Sequence, residues 1–283
     1  PPPTVVTVTP ATDITIDSAT LSGNVTSTGG SSVLGNGIVY SSTDFTPTLG
    51  EPGVIQLANP SPSTGTSSYS VGTGNALFAN TEYYYNAYAN SAQGYGYGTP
   101  SSFYTLANVP AQPNAASNIT TTTFDFDFDA TSNPSSTMFA IQINSQYLQA
   151  NGTLGATAVW QTAFNWMQSP TPHLITVSGL NANTLYTYAV KARNGANVET
   201  VLGTSNSATT LPITTPTLEA DPLGAFGNVC TNTSVVHTFA VLGTQLTNDL
   251  TVGPLNGFTF SITGGNDYAN DLTLTPDVNG DVL

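Results

Sequence analysis

Two histidines, one cysteine, sixteen carboxylates and two basic side chains supply most of the conventional catalytic groups in 283 residues. A hydrolase triad needs a base beside a nucleophile. His173 follows Pro170-Thr171-Pro172 at the start of the run to Val177, and His237 precedes Phe239 in a different segment. Each falls on or beside an expected strand, which reads as a surface or strand-end histidine. Cys230 with His237 is too little for thiol catalysis. Paired carboxylates could serve a glycosidase, yet no Asp or Glu lies in a recognisable catalytic context. Asp277-Val278-Asn279-Gly280-Asp281 puts oxygen ligands at alternate positions, as a calcium loop does. Val282 stands where such a loop needs glycine, and the distal Glu is absent. Asn279-Gly280 also makes a good type I′ hairpin turn. Asp277, Asn279 and Asp281 are therefore a weak calcium set, and no other cofactor is expected.

Aromatic side chains are the better binding candidates. Tyr95 and Tyr97 are flanked by glycines in Gly94–Gly98, which reads as a loop joining two strands. Tyr84 and Tyr88 should point opposite to a core-facing Tyr83 and Tyr85. Tyrosine stacks on sugar rings or packs into a protein contact with little entropy lost. The competing reading is cross-strand packing on a sheet face. Trp160 and Trp166 read as core or edge packing before ligand platform. Asn24, Asn118, Asn151 and Asn232 each open an N-x-Ser/Thr sequon, which chance produces readily in a chain so rich in Asn and Thr.

The elements that must hold these residues are strands. Short alternating runs of Thr, Val, Tyr and Phe are separated by Gly, Pro, Asn and Ser, and no segment reads as a convincing amphipathic helix. In Phe124–Asp129 three Phe alternate with three Asp, so one face is buried and the other wet. The Asp stripe reads as solvated, with cation binding as the sharper alternative. Only 6% of residues are charged and the net charge is −14. With Lys191 and Arg193 as the only cations, nucleic acid and acidic membrane surfaces are excluded as partners. Lys191 alternates with inward Val190 and Ala192 and should point to solvent, away from the buried position an isopeptide cross-link needs. No apolar run approaches a membrane span. No signal peptide opens the chain, so a secreted form is expected to have lost it. The single cysteine excludes an internal disulfide.

An internal repeat organises the chain. Leu77-Phe78-Ala79-Asn80-Thr81-Glu82-Tyr83 and Leu180-Asn181-Ala182-Asn183-Thr184-Leu185-Tyr186 share the pattern L-x-A-N-T-x-Y. Each precedes an alternating strand, and each repeat closes on Thr-Leu, at Leu106 and at Leu211. Pro-containing linkers follow. The pattern resembles the E–F corner of fibronectin type III modules, with Ala79 and Ala182 where that family has Pro. The resemblance makes Tyr83 and Tyr186 tyrosine corners whose hydroxyls bond nearby backbone. Ser18–Ser27 and Gly37–Ser41 are similar to strands B and C of the fibronectin-like repeats in large bacterial surface proteins. Thr187–Gly195 and Gly155–Thr162 are similar to a second bacterial subtype. The strand-B Trp of animal modules is missing, and Phe126 or a neighbour should fill its space. Phe239–Thr247, Gly257–Ser261 and Leu272–Pro276 resemble an immunoglobulin-like bacterial surface repeat that still has a strand to run at Leu283. Asp17-Ser18-Ala19 resembles the short motif O-glycosylated in some bacterial surface proteins, which makes Ser18 a weak modification candidate.

The expected fold is all-β, with tandem antiparallel sandwiches in an elongated arrangement. Expected modules are 1–107, 108–212 and 213–283, the last expected to be incomplete at its C-terminus. Such a chain reads as a non-catalytic structural or adhesive segment of an extracellular or cell-surface bacterial protein. Two alternatives are spacer or glycan-binding modules of a secreted carbohydrate-active enzyme, and a filament subunit completed by a neighbour's strand. Partners would be other protein subunits or surface glycans.

Overall fold

The computed structural model describes residues 1–72, 76–167, 173–264, 267–277 and 280–282. The chain divides into two compact units, Pro1–Leu211 and Pro212–Leu283.

The first unit opens with β1 (Thr4–Thr12), β2 (Ala19–Ser27), β3 (Gly35–Ser41), β4 (Ile55–Ala58), β5 (Gly65–Val71), β6 (Glu82–Ser91), β7 (Gly94–Tyr97) and β8 (Ser101–Tyr104). They form two antiparallel sheets, β1-β2-β5 and β4-β3-β6-β7, with β8 also pairing β6. β2 alternates buried and half-buried residues along its first seven positions, as a strand with one core face must. Leu21, Val71, Ile38, Tyr85 and Ala87 meet between the sheets.

The chain then repeats the plan with β9 (Phe124–Phe126), β10 (Met138–Ile143), β11 (Gln146–Leu148), β12 (Leu154–Gly155), β13 (Gln161–Thr162), α1 (Ala163–Trp166), β14 (Ile175–Val177), β15 (Leu185–Arg193) and β16 (Asn206–Thr209). β14 pairs β9 in one sheet; β12-β11-β10-β15-β16 make the other, with β13 on β10. Phe124, Phe126 and Phe128 are buried against Phe139, Ile141, Tyr188 and Val190. α1 is a helix that the sequence pattern did not announce, because a single turn carries no period. Thr162 caps it by accepting from the Asn165 N–H at 3.2 Å.

The second unit carries β17 (Thr217–Ala220) paired with β18 (Val241–Thr244), and β19 (Leu250–Val252) paired with β20 (Leu272–Leu274). Among its described apolar side chains only Val282 is buried, while Leu218, Val236 and Ile262 are more than half exposed.

Among the described residues no helix is long and apolar enough to cross a membrane.

Candidate functional site

The repeated corners form matching sets of bonds. Tyr83 Oη accepts from the Phe78 N–H at 3.0 Å, and Tyr186 Oη accepts from the Asn181 N–H at 2.9 Å, each five residues upstream. Thr105 Oγ1 donates to the Phe78 carbonyl and accepts from the Thr81 N–H; Thr210 does the same with Asn181 and Thr184. Two residues further along each strand, Tyr85 Oη donates to the Val8 carbonyl at 3.0 Å and Tyr188 Oη to the Asn114 carbonyl at 2.9 Å. Each hydroxyl ties the central strand to the opening segment of its own sandwich. Burial raises both the Tyr85 and Tyr188 phenols above their ordinary 10.0.

The first corner also reaches into the second sandwich. Asn80 adopts a left-handed backbone with φ 43°, as Asn183 does at 49°. Asn80 Nδ2 donates to Thr137 Oγ1 at 2.7 Å, and Asn80 Oδ1 accepts from the Gly195 N–H at 2.8 Å. Asn194 Nδ2 answers by donating to the Thr105 carbonyl at 3.0 Å. Asn80, Asn194, Thr105 and Thr137 are all buried. Gly195 must be glycine here, because a Cβ would run into the Tyr104 ring. A buried amide left without a partner costs about 1–3 kcal/mol, so a closed set of this kind fixes one geometry. Sequence reasoning marked Asn80 only as part of a repeat. Nothing in its pattern pointed to the neighbouring sandwich.

The candidate tyrosines separate into two groups. Tyr88 is 3% exposed and so is not a surface contact. It faces away from the core as expected, yet Gln56 Nε2 donates to its hydroxyl and Tyr97 packs beside its ring. The 42–54 loop covers more of this face, with Pro47 buried and the Leu49 N–H donating to Tyr97 Oη at 3.2 Å. Tyr84 is half-buried; its hydroxyl donates to Glu82 at 2.8 Å and its ring meets Phe45 edge-on at 4.7 Å. The Glu82 hydrogen bond raises its phenol.

Tyr95 and Tyr97 lie on β7 and not in a loop, because Gly96 and Gly98 let the strand run against the backbone of Pro3 and Thr7. Their rings stack, centroids 6.3 Å apart and planes at 22°, and Tyr95 is 55% exposed. Tyr97 is half-buried, and Phe45 and Phe78 are further exposed rings of the first sandwich.

Lys191 does not extend into solvent. Its side chain is 14% exposed and pairs with Glu199 at 2.6 Å. Its ammonium lies 5.2 Å from the Tyr147 ring and 5.3 Å from the Trp160 ring, and the Arg193 guanidinium is 4.6 Å from the same indole. Both cations of the chain thus rest on Trp160. The outer sheet face offers the methylenes an aromatic surface, which strand alternation cannot foretell. Burial lowers the Lys191 pKa, but the bonds to Glu199 and Tyr147 outweigh it and leave it raised above 10.5. Trp166 is buried and its Nε1 donates to the Phe139 carbonyl at 2.9 Å.

The remaining polar candidates stay apart or serve turns. Asp125, Asp127 and Asp129 accept separately from Asn118, Asn114 and the Thr131 N–H. Asp277 Oδ1 accepts from the Asp281 N–H at 2.9 Å, and Asp281 Oδ1 from the Gln245 N–H at 3.3 Å. Asn279, the middle member of the calcium set, lies outside the described residues. Ser18 Oγ is 2.7 Å from Thr15 Oγ1 in a turn that Thr120 and Thr123 reproduce in the second sandwich. His237 packs edge-on to Phe226 at 4.6 Å, while His173 is exposed. Cys230 is exposed, and its carbonyl accepts from the Thr233 hydroxyl at 2.7 Å. Among the described residues, no three His, Cys, Asp or Glu side chains converge where a metal could be held.

No family model matches the chain, and no curated protein does. Among solved structures, it is similar to the FN1–FN3 domains of chicken CNTN1, at 15% identity and a TM-score of 0.31, over 74% of this chain and 68% of that one. It is also similar to the family 28 exopolygalacturonase of Yersinia enterocolitica, at 14% identity and a TM-score of 0.27. That match covers 38% of this chain and 21% of the enzyme. Neither superposes closely enough to bear on what the chain does.

Proposed function

We propose that this chain is a non-catalytic structural segment of an extracellular bacterial surface protein, in which the first unit holds two sandwiches at a fixed mutual geometry. The observation that supports this reading is the buried junction of Asn80, Thr137, Thr105, Asn194 and Gly195. Linked domains move relative to one another by default unless their interface prevents it. A protein that presents something at a set distance needs such a lock and needs no active site. The stacked Tyr95 and Tyr97 give the same unit an adhesive surface, toward protein subunits or glycans. Spacer modules of a secreted carbohydrate-active enzyme would use the same lock.

A broad hydrolase screen on the chain and on its His173→Ala and His237→Ala variants tests the reading. No turnover is expected. Turnover abolished by either substitution would overturn it.

A filament role for the second unit is favoured by one further observation: Leu218, Val236 and Ile262 stand exposed around two two-stranded ribbons. Unpaired strand edges accept strands from other chains. Concentration-dependent assembly by light scattering would support this role, and a strict monomer at high concentration would remove it.

A further inference from the structure

We infer that the second sandwich carries a binding cleft for a neutral, hydroxyl-rich ligand of monosaccharide size. The cleft has a volume of about 230 Å³ and lies between the β11–β12 connection, β13, α1 and β14. At about 30 Å³ per water, it holds the equivalent of roughly eight waters, which suits one small ring and not an extended ligand. Its wall is built from amides and hydroxyls: Gln149, Asn151, Gln161, Asn165 and Ser178, beside Trp166. Among the described residues no charged side chain lines it.

Three of these polar groups are held before any ligand arrives. Gln149 Nε2 donates to the carbonyls of Tyr147 and Thr157, both at 3.0 Å. Asn151 Oδ1 accepts from the N–H and the hydroxyl of Thr153. Ser178 Oγ donates to the Gly152 carbonyl at 3.1 Å. Trp166 is pinned through its Nε1 to Phe139. Fixing such groups in advance lowers the entropy lost on binding. These bonds leave Gln149 Oε1 and Ser178 Oγ as acceptors and Asn151 Nδ2 as a donor, a mixed set that vicinal hydroxyls complement. Buried Leu148 and Ile175 complete the lining with apolar surface for the ring's C–H face. An acidic ligand fits poorly, because nothing cationic lines the cleft and the chain carries a net charge of −14. This inference goes beyond the structural role, which stands whether or not the cleft is filled.

The test uses Trp166 as its reporter. The chain has two tryptophans, so Trp160→Phe leaves Trp166 as the only indole. Methyl glycosides of glucose, galactose and mannose are titrated at millimolar concentrations, with glucuronate as the charged comparison. At least one neutral glycoside should shift Trp166 emission saturably. Gln161→Leu and Asn151→Ala should each weaken that binding by up to about tenfold, the worth of a hydrogen bond. Ser178→Ala replaces either variant if circular dichroism shows loss of fold. Three results would overturn the inference: no saturable shift with any neutral glycoside, glucuronate binding as tightly as the best of them, or full affinity in the folded variants.

Discussion

Asn80 and Thr137 are joined by a 2.7 Å hydrogen bond between buried side chains 57 residues apart, one from each sandwich of the first unit. Asn80 sits in a corner motif that is repeated at Asn183 with the same left-handed backbone. The backbone role is shared: the Asn80 N–H donates to the Leu106 carbonyl and the Asn183 N–H to the Leu211 carbonyl, both at 3.0 Å. The bridge through the Asn80 side chain is what converts a repeated corner into a junction.

Asn80→Gly keeps the positive φ available while deleting the two junction bonds of the Asn80 side chain and leaving the Asn194–Thr105 bond. It should cost about 1–3 kcal/mol and separate the unfolding of the two sandwiches into distinct steps. Asn183→Gly is the control for the backbone effect. Denaturant unfolding followed by tyrosine and tryptophan signals checks this, and equal behaviour of the two variants would count against the junction.

Tyr83→Phe and Tyr186→Phe should destabilise by similar amounts, about 1–3 kcal/mol each, because each leaves a corner N–H without its acceptor. Chemical denaturation of the two variants measures it. A neutral effect at either position would remove that hydroxyl from the fold's essential bonds.

How far the sequence reached is visible in these corners. Alternation and the L-x-A-N-T-x-Y repeat located both tyrosines, the Phe124–Phe128 core face and the strand-rich architecture, because these depend on local period alone. The burial of Tyr88 was not legible: a two-residue period says which face a side chain takes, and not that Gln56 and the 42–54 loop cover that face. Lys191 failed in the same way, since Tyr147, Trp160 and Glu199 meet it only after the sheet has formed. The amide cleft mixes residues from three separated segments whose polarity reads, along the chain, as ordinary loop composition.

Stability should be lost at alkaline pH. Burial raises the phenols of Tyr40, Tyr85, Tyr88 and Tyr188 above 10.0 in the folded state. Above pH 10 the unfolded chain therefore binds fewer protons than the native one, and stability falls as pH rises through the raised values. Their contribution is complete below pH 10. Phenolate absorbance should develop in two phases, the later one coinciding with loss of near-ultraviolet circular dichroism. A single early phase in the intact protein would contradict the burial.

Lys191→Met should cost about 1 kcal/mol or less, since it keeps the apolar stem over Trp160 and Tyr147 while removing a partly covered ion pair with Glu199. Thermal unfolding at low and high salt checks this. The native protein should be the more salt-sensitive of the two.

The fixed geometry of the first unit is tested most directly by residual dipolar couplings measured on the backbone amides of residues 1–211 in the intact chain. If the junction holds, one alignment tensor fits the couplings of both sandwiches, and in Asn80→Gly the two sandwiches require separate tensors. Two tensors of different magnitude in the native protein would mean that the sandwiches reorient freely, and the structural role proposed for the pair would be wrong.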